Sequence, residues 1–236
     1  MNFKLLEDKY QYDKTNFSLL QEDLKKVREL NPFVSEIGID GGSIVDMIYG
    51  YPVSDYDIRY SIFDKDTSRY STKCKCNEIA TTIEQNQFNF LTGENVDLDN
   101  ISESLLNLSL KHKYEKGLVG NNCFTNTILF TDEGEFICPE EAYEALINRE
   151  YVPNYYGYLH YSYDASTQKD YYKLVLEMLV RGVAYINKRK LSCHKSFYKI
   201  LELYEPLKKC VPDYESIVKM KFSSVEEFEQ ALSKIW

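Results

Sequence analysis

The sequence predicts an α+β fold in two parts, and three observations predict it. Residues 1–152 alternate short apolar segments with turns that carry Gly or Pro, the pattern of strands and helices in mixed order. After Val152-Pro153 those turns give way to long stretches of helical periodicity. A chain of 236 residues with 44% hydrophobic content has enough apolar surface for one large domain or two small ones. The expected division is a mixed domain over 1–152 and an all-helical domain over 153–236.

The elements follow in order. Phe17, Leu20, Leu24, Val27 and Leu30 recur at the spacing of a one-faced helix over Asn16 to Leu30, which Asn31-Pro32 ends. Phe33 to Ile39 reads as a strand that delivers a Gly-Gly turn, Ser43 to Tyr49 as a helix, and Asp55 to Phe63 as a second strand. Within the polar stretch 64–95 a short helix is expected around Ile79 to Glu84. Asn95 to Asp99 is a short strand with alternating carboxylates, and SESLLNLSL after it has helical character. A strand over Asn126 to Phe130, a turn at Asp132-Glu133-Gly134, a strand over Glu135 to Cys138 and a helix from Pro139 to Asn148 complete the first part. In the second part, helices are expected over Asp170 to Lys188, Lys195 to Tyr204 and Ser224 to Ile235. The last begins with Ser223 or Ser224 as cap and Glu226 or Glu227 three residues on.

Charge excludes one class of function. With 28 basic and 37 acidic residues the net charge is −9, which opposes long-range attraction to a polyanion, so a broad nucleic-acid coat is not expected. Lys188, Arg189, Lys190, His194 and Lys195 do cluster with Tyr185, Phe197 and Tyr198, a mixture that suits a nucleic-acid end. The ordinary reading of such a run is a solvated helix end. Six cysteines at 74, 76, 123, 138, 193 and 210 form no C-x-x-C pair, so neither a zinc ribbon nor a dithiol redox motif is indicated. No apolar stretch of signal-peptide length follows Met1, and no run of eighteen apolar residues occurs. The expected setting is a reducing cytoplasm, with no membrane partner.

Chemistry concentrates in Asp40 to Tyr60, DGGSIVDMIYGYPVSDYDIRY. On a strand, Asp55 and Asp57 would share one face and Tyr56 and Ile58 the other. Paired carboxylates are hard oxygen donors suited to Mg²⁺, and a pair of ions roughly 3.5–4 Å apart can hold both oxygens of a phosphoryl displacement. A Gly-Gly-Ser turn at Gly41, Gly42 and Ser43, opening a helix, offers backbone N–H groups and the positive end of a dipole to phosphate.

The segment resembles the signature of the nucleotidyltransferase superfamily that includes DNA polymerase beta. It is most similar to the mixed-sheet head domain of class II tRNA nucleotidyltransferases (CCA-adding enzymes) and bacterial poly(A) polymerases. Gly41, Gly42, Asp46, Gly50, Pro52, Asp55 and Asp57 fall in one register with that motif. A second block, Asn121 to Arg149, matches at Phe124, Thr125, Leu129, Asp132, Gly134 and Leu146, and Lys169 to Leu176 resembles the family's base-reading motif. The resemblance implies a nucleotidyltransferase head over 1–152 and a helical neck over 153–236. It implies two Mg²⁺ ions on Asp55 and Asp57, with Asp97 the candidate third acid by position. It also implies a nucleoside triphosphate as substrate, contacted by Gly41, Gly42, Ser43, Asp46, Asn122, Asp170 and Lys173, and an RNA 3′ end, tRNA first, as acceptor.

Several positions depart from the family's pattern. Val45 stands where the family has a triphosphate-contacting Arg, and Asn121, Asn122 and Cys123 stand for its ribose-reading Arg-Arg-Asp. Lys169 and Lys173 replace a Glu and an Arg of the base-reading motif, and a lysine cannot offer arginine's planar fork to a base edge. Two rivals stay open: an inactive fold kept as a nucleotide sensor or interaction module, and transfer to a protein or small molecule.

Overall fold

The computed structural model describes residues 1–62, 69–88, 90, 96–100, 108–119, 123–154, 168–201, 207–209, 211–220 and 222–234; at 69–72, 96–100, 168–172, 174 and 201 it describes the backbone alone. Two compact units result, Met1–Leu118 with Asn126–Glu140, and Val119–Thr125 with Glu141–Trp236.

The first unit is built on a five-stranded sheet in the order β3-β2-β1-β4-β5. Its strands are β1 (Val34–Asp40), β2 (Tyr56–Ile62), β3 (Val96–Asn100), β4 (Leu129–Thr131) and β5 (Phe136–Ile137). All neighbours pair antiparallel except β2 and β3, which are parallel, so the sheet is mixed as expected. Helix α1 (Lys4–Tyr10) was not anticipated from periodicity; with seven residues and one buried side chain, Leu6, it carries too few apolar positions to show a stripe.

Helix α2 (Lys14–Leu30) starts where the Asp13 carboxylate accepts from Thr15 N at 2.8 Å, and it buries Phe17, Leu20, Leu24 and Val27. Phe17 meets Phe130 and Phe136 edge-on, with ring centroids 5.0 and 5.1 Å away. The same helix pins the β4–β5 turn: Arg28 Nη1 lies 2.7 Å from Asp132 Oδ2, and Gln21 Nε2 donates to the Asp132 carbonyl at 3.2 Å. At the tip, Gly134 has φ +79°, and a Cβ there would stand 2.8 Å from Gln21 Nε2.

Helix α3 (Gly42–Tyr49) joins β1 to β2 through a C-cap at Gly50, φ 73°. Helix α4 runs from Arg69 to Asn86, much longer than the turn or so visible around Ile79 to Glu84, because its register gives almost no apolar stripe. Helix α5 (Leu110–Glu115) starts after Ser109, whose hydroxyl accepts from His112 N at 3.1 Å. The expected helical SESLLNLSL falls mostly on 101–107, outside the described residues.

In the second unit, α6 (Glu140–Asn148) leads into β6 (Glu150–Tyr151), which pairs in parallel with β7 (Ser192–Cys193). This short pairing, with the isolated bridge Cys123–Pro153, stands among the helices of the described residues, and the residues just before Pro153 belong to the unit in which the later helices lie. Those are α7 (Gln168–Arg189), α8 (Lys195–Leu201), α9 (Tyr214–Lys219) and α10 (Val225–Ser233). On α7, Val175, Met178, Leu179 and Ile186 are buried as their spacing predicts, while Glu177 and Arg181 pair at 2.5 Å on the outside. Among the described residues no helix is long and apolar enough to cross a membrane.

Candidate active site

Strand β1 ends at Asp40, and the next residue turns the chain into α3. Gly41 has φ 77° and ψ −144°, a conformation open in practice only to glycine, and its N–H donates to the Ile128 carbonyl at 3.2 Å. Ser43 is 5% exposed and its Oγ donates to the Asp40 carbonyl at 2.9 Å, so the hydroxyl locks the turn from within. The first N–H groups of α3 have no acceptor inside their own helix and carry the positive end of its dipole.

Asp57 lies on β2 directly opposite Asp40 in the antiparallel β1–β2 register. Its carboxylate reaches the turn: a Cβ built on Gly41 would stand 3.5 Å from Asp57 Oδ2 and 3.5 Å from Asn126 Nδ2. Glycine at 41 is therefore demanded by the backbone angle, while a carboxylate and an amide lie within ordinary contact of the turn. Asp55 is exposed, two residues ahead of Asp57 and one before the strand begins; the strand expected from Asp55 starts at Tyr56. Tyr56 and Ile58 are buried on the opposite face, as the period of two requires, and burial pushes the Tyr56 hydroxyl up to about 12. Asp97 is the register partner of Asp57 across the parallel β2–β3 pair. Asp40, Asp57 and Asp97 thus occupy one row of the sheet.

A network that sequence reasoning missed lies beside this row. Arg59, two residues after Asp57 on the same strand face, places Nε 3.1 Å from Asp40 Oδ2. The same oxygen accepts a short hydrogen bond from the Tyr114 hydroxyl of α5. Asp40 is 1% exposed and Tyr114 0%. Burial alone would lower the Arg59 pKa, but the Asp40 charge and hydrogen bond, with the charge of Asp57, more than reverse it, so the guanidinium is held charged. Burial and the neighbouring Asp40 both raise the Tyr114 hydroxyl well above its ordinary value, which keeps it a donor. The available signal was spacing: Arg59 follows Asp57 by one strand period, and Asp40 immediately precedes the Gly-Gly turn.

The other candidates fall on helices or outside the described residues. Asp46 is on α3 and 1% exposed, so it packs in the interior of the first unit. Val45, at the position of the family's arginine, is 0% exposed and belongs to the core. Asn122 lies outside the described residues. In the second unit Asp170 falls in the first turn of α7, and Lys173 pairs with Asp213 at 2.9 Å. The cationic and aromatic cluster of that unit divides: Phe197 is 0% exposed and Arg189, 5% exposed, lies 3.7 Å from the centroid of the Tyr185 ring, while Lys188, Lys190 and Lys195 are exposed, as in a solvated helix end. The five described cysteines are free thiols.

Among the described residues no group of three or more His, Cys, Asp or Glu side chains is gathered closely enough to hold a metal alone. The Asp57 carboxylate beside a glycine turn, with exposed Asp55 two residues ahead in the chain, fits Mg²⁺ all the same, because that ion commonly takes one or two carboxylates and completes its shell with water and substrate phosphates.

No protein-family model matches the sequence, and no curated protein does. Solved structures match along most of the chain. One is a CCA-adding enzyme in complex with ATP, at TM-score 0.59 and 14% identity over 94% of this chain and 50% of that one. Another is a tRNA nucleotidyltransferase complexed with a primer tRNA and an incoming ATP analog, at TM-score 0.57 and 12% identity over 91% and 59%. A third is a Thermotoga maritima CCA-adding enzyme complexed with tRNA, at TM-score 0.55 and 13% identity over 98% and 53%. At such identity the likeness is one of fold: this chain has the fold of the class II tRNA nucleotidyltransferase head with helical region, and it spans 50–59% of the length of these structures.

Proposed function

We propose that this protein is a metal-dependent nucleotidyltransferase, which moves a nucleoside monophosphate from a nucleoside triphosphate to a hydroxyl acceptor. The observation that carries the reading is the approach of the Asp57 carboxylate to Gly41, which brings an oxygen ligand for a divalent cation and a helix N-terminus for phosphate to one place. Asp55 and Asp57 would hold Mg²⁺, with Asp97 in line by register. Bound there, Mg²⁺ supplies charge neutralisation of the triphosphate and of the developing charge on the transferred group. The backbone N–H groups that open α3 orient the phosphates, and the Ser43 hydroxyl keeps that turn in shape. Asp170 and Lys173 are the candidates for contact with the base.

The fold neighbours in complex with tRNA support an RNA 3′ end as acceptor, with ATP or CTP as the class of donor. Burial of Val45 favours the inactive rival, because no cation stands at the place where the family contacts triphosphate. The deciding experiment incubates the protein with Mg²⁺, each labelled nucleoside triphosphate in turn and total cellular RNA, beside the Asp55→Ala/Asp57→Ala double variant. Label on RNA with the wild type alone is the expected result. Label on a protein or small molecule would change the acceptor, and no label anywhere would leave the fold as a sensor or interaction module.

A further inference from the structure

We infer that the Asp40–Arg59 pair sets the charge of the aspartate row, and so holds its affinity for divalent cations at a moderate level, an inference that rests on the metal-dependent reading above. Three acidic residues share one register row, Asp40 opposite Asp57 and Asp57 opposite Asp97, with exposed Asp55 two residues away. The carboxylates of Asp40 and Asp57, at facing positions of β1 and β2, repel one another and attract a cation.

Arg59 is the built-in answer to that repulsion. Its guanidinium is permanently charged, its side chain is 16% exposed, and its Nε lies 3.1 Å from Asp40 Oδ2. Tyr114 donates to the same oxygen. Asp40, 1% exposed and engaged through Oδ2, is thereby neutralised, so the charge offered to a cation is that of Asp55 and Asp57. Because the pair is largely buried, salt screens its effect on Asp57 far less than it would screen a surface charge. A site tempered in this way binds a cation weakly alone and better together with a triphosphate, which brings its own oxygen ligands.

Arg59 and Asp40 are positioning residues in this account, acting through Asp57, and removing them one at a time moves affinity in opposite directions. The test titrates Mn²⁺ into the full chain without nucleotide, read by the loss of the free-ion signal in electron paramagnetic resonance. Arg59→Gln removes the fixed cation and is expected to tighten Mn²⁺ by about tenfold, the scale of one partly buried charge acting over several ångströms. Asp40→Asn leaves the cation without its counter-charge and is expected to weaken Mn²⁺ by about as much. Arg59→Lys and the Asp40→Asn/Arg59→Gln double variant keep the local charge sum and should stay within about threefold of wild type.

A merely structural role would shift both single variants the same way, or neither, and either result overturns the inference. If a single variant fails to fold, Arg59→Lys and the double variant decide the matter, since neither orphans a buried charge; a change beyond about threefold in either is then the overturning result. Failure of the metal-dependent reading itself looks different. In that case wild-type Mn²⁺ binding is absent, or survives Asp57→Asn unchanged.

Discussion

The Asp57 carboxylate faces Gly41, where a methyl group on the Cα would stand 3.5 Å from Oδ2. That distance is ordinary contact, which means the demand for glycine at 41 comes from the backbone angle first and the neighbouring carboxylate second. Gly41→Ala is accordingly expected to cost about 1–3 kcal/mol in urea unfolding, the cost of a side chain in a region reserved for glycine. Nucleotide transfer should fall more steeply than stability, because the added methyl also faces Asp57 and Asn126. Unchanged stability with full transfer would show that the turn tolerates a Cβ.

Asp55 and Asp57 differ in exposure, yet both are needed if the site works as proposed. Single Asn substitutions at each are expected to bring transfer to background while leaving the far-UV circular dichroism and the urea midpoint close to wild type, since neither side chain anchors the core. Asp57→Asn retaining substantial transfer would remove the assignment.

Alkaline stability follows from two buried acids of the first unit. Burial pushes the Cys138 thiol up from 9.0 to about 12, against the opposing charge of the N-terminus, and burial pushes the Tyr56 hydroxyl up from 10.0 to about 12. The fold holds both protons more tightly than the unfolded chain does. Their contribution is therefore whole below pH 9 and is lost as pH rises towards 12, each group steepening the fall by up to about 1.4 kcal/mol per pH unit. Urea unfolding at pH 8, 9.5 and 10.5 should show this decline, and Cys138→Ala should flatten its early part. A level stability through pH 11 would contradict the burial of both groups.

In the second unit Gly182 is pressed against Tyr151. A Cβ there would stand 2.7 Å from Tyr151 Oη and 3.1 Å from Cζ, while Phe197 packs edge-on to the Tyr151 ring at 5.2 Å. Alanine is the better helix former by about 1 kcal/mol. Overpacking of a fully buried tyrosine costs about 1–3 kcal/mol and should win. Gly182→Ala is expected to lower the unfolding midpoint, and Tyr151→Phe in the same chain should recover part of the loss by removing the oxygen that is struck.

Helix α10 carries a cap that the sequence announced. Ser224 Oγ accepts from Glu227 N at 3.1 Å, and Glu227 Oε2 accepts from Ser223 N at 2.8 Å, which selects Ser224 and Glu227 from the alternatives. Ser224→Ala should cost about 1 kcal/mol, whereas Ser223→Ala, which keeps its backbone N–H, should cost little.

Local chemistry is what the sequence determined by itself. The apolar stripe of α2, the period-two burial of β2, the Gly-Gly turn at the head of α3, the αL cap at Gly50 and the capping box of α10 each depend on residues within a few positions of one another. Elements whose apolar positions are few or scattered stayed hidden or were shortened, as in α1 and α4. Tertiary structure alone decided which distant residues meet. Arg59, Asp40 and Tyr114 converge because the β1–β2 register sets Asp40 opposite Asp57 and α5 delivers a tyrosine from 74 residues away, and Asn126 comes beside Gly41 although the two lie far apart in sequence. The same packing turned Val45, Phe197 and Arg189 inward, and so separated residues that only looked available from those that are. Spacing fixes which residues share a strand or helix face; only the closed fold fixes what that face is pressed against, because burial and charge pairing are properties of contacts between segments.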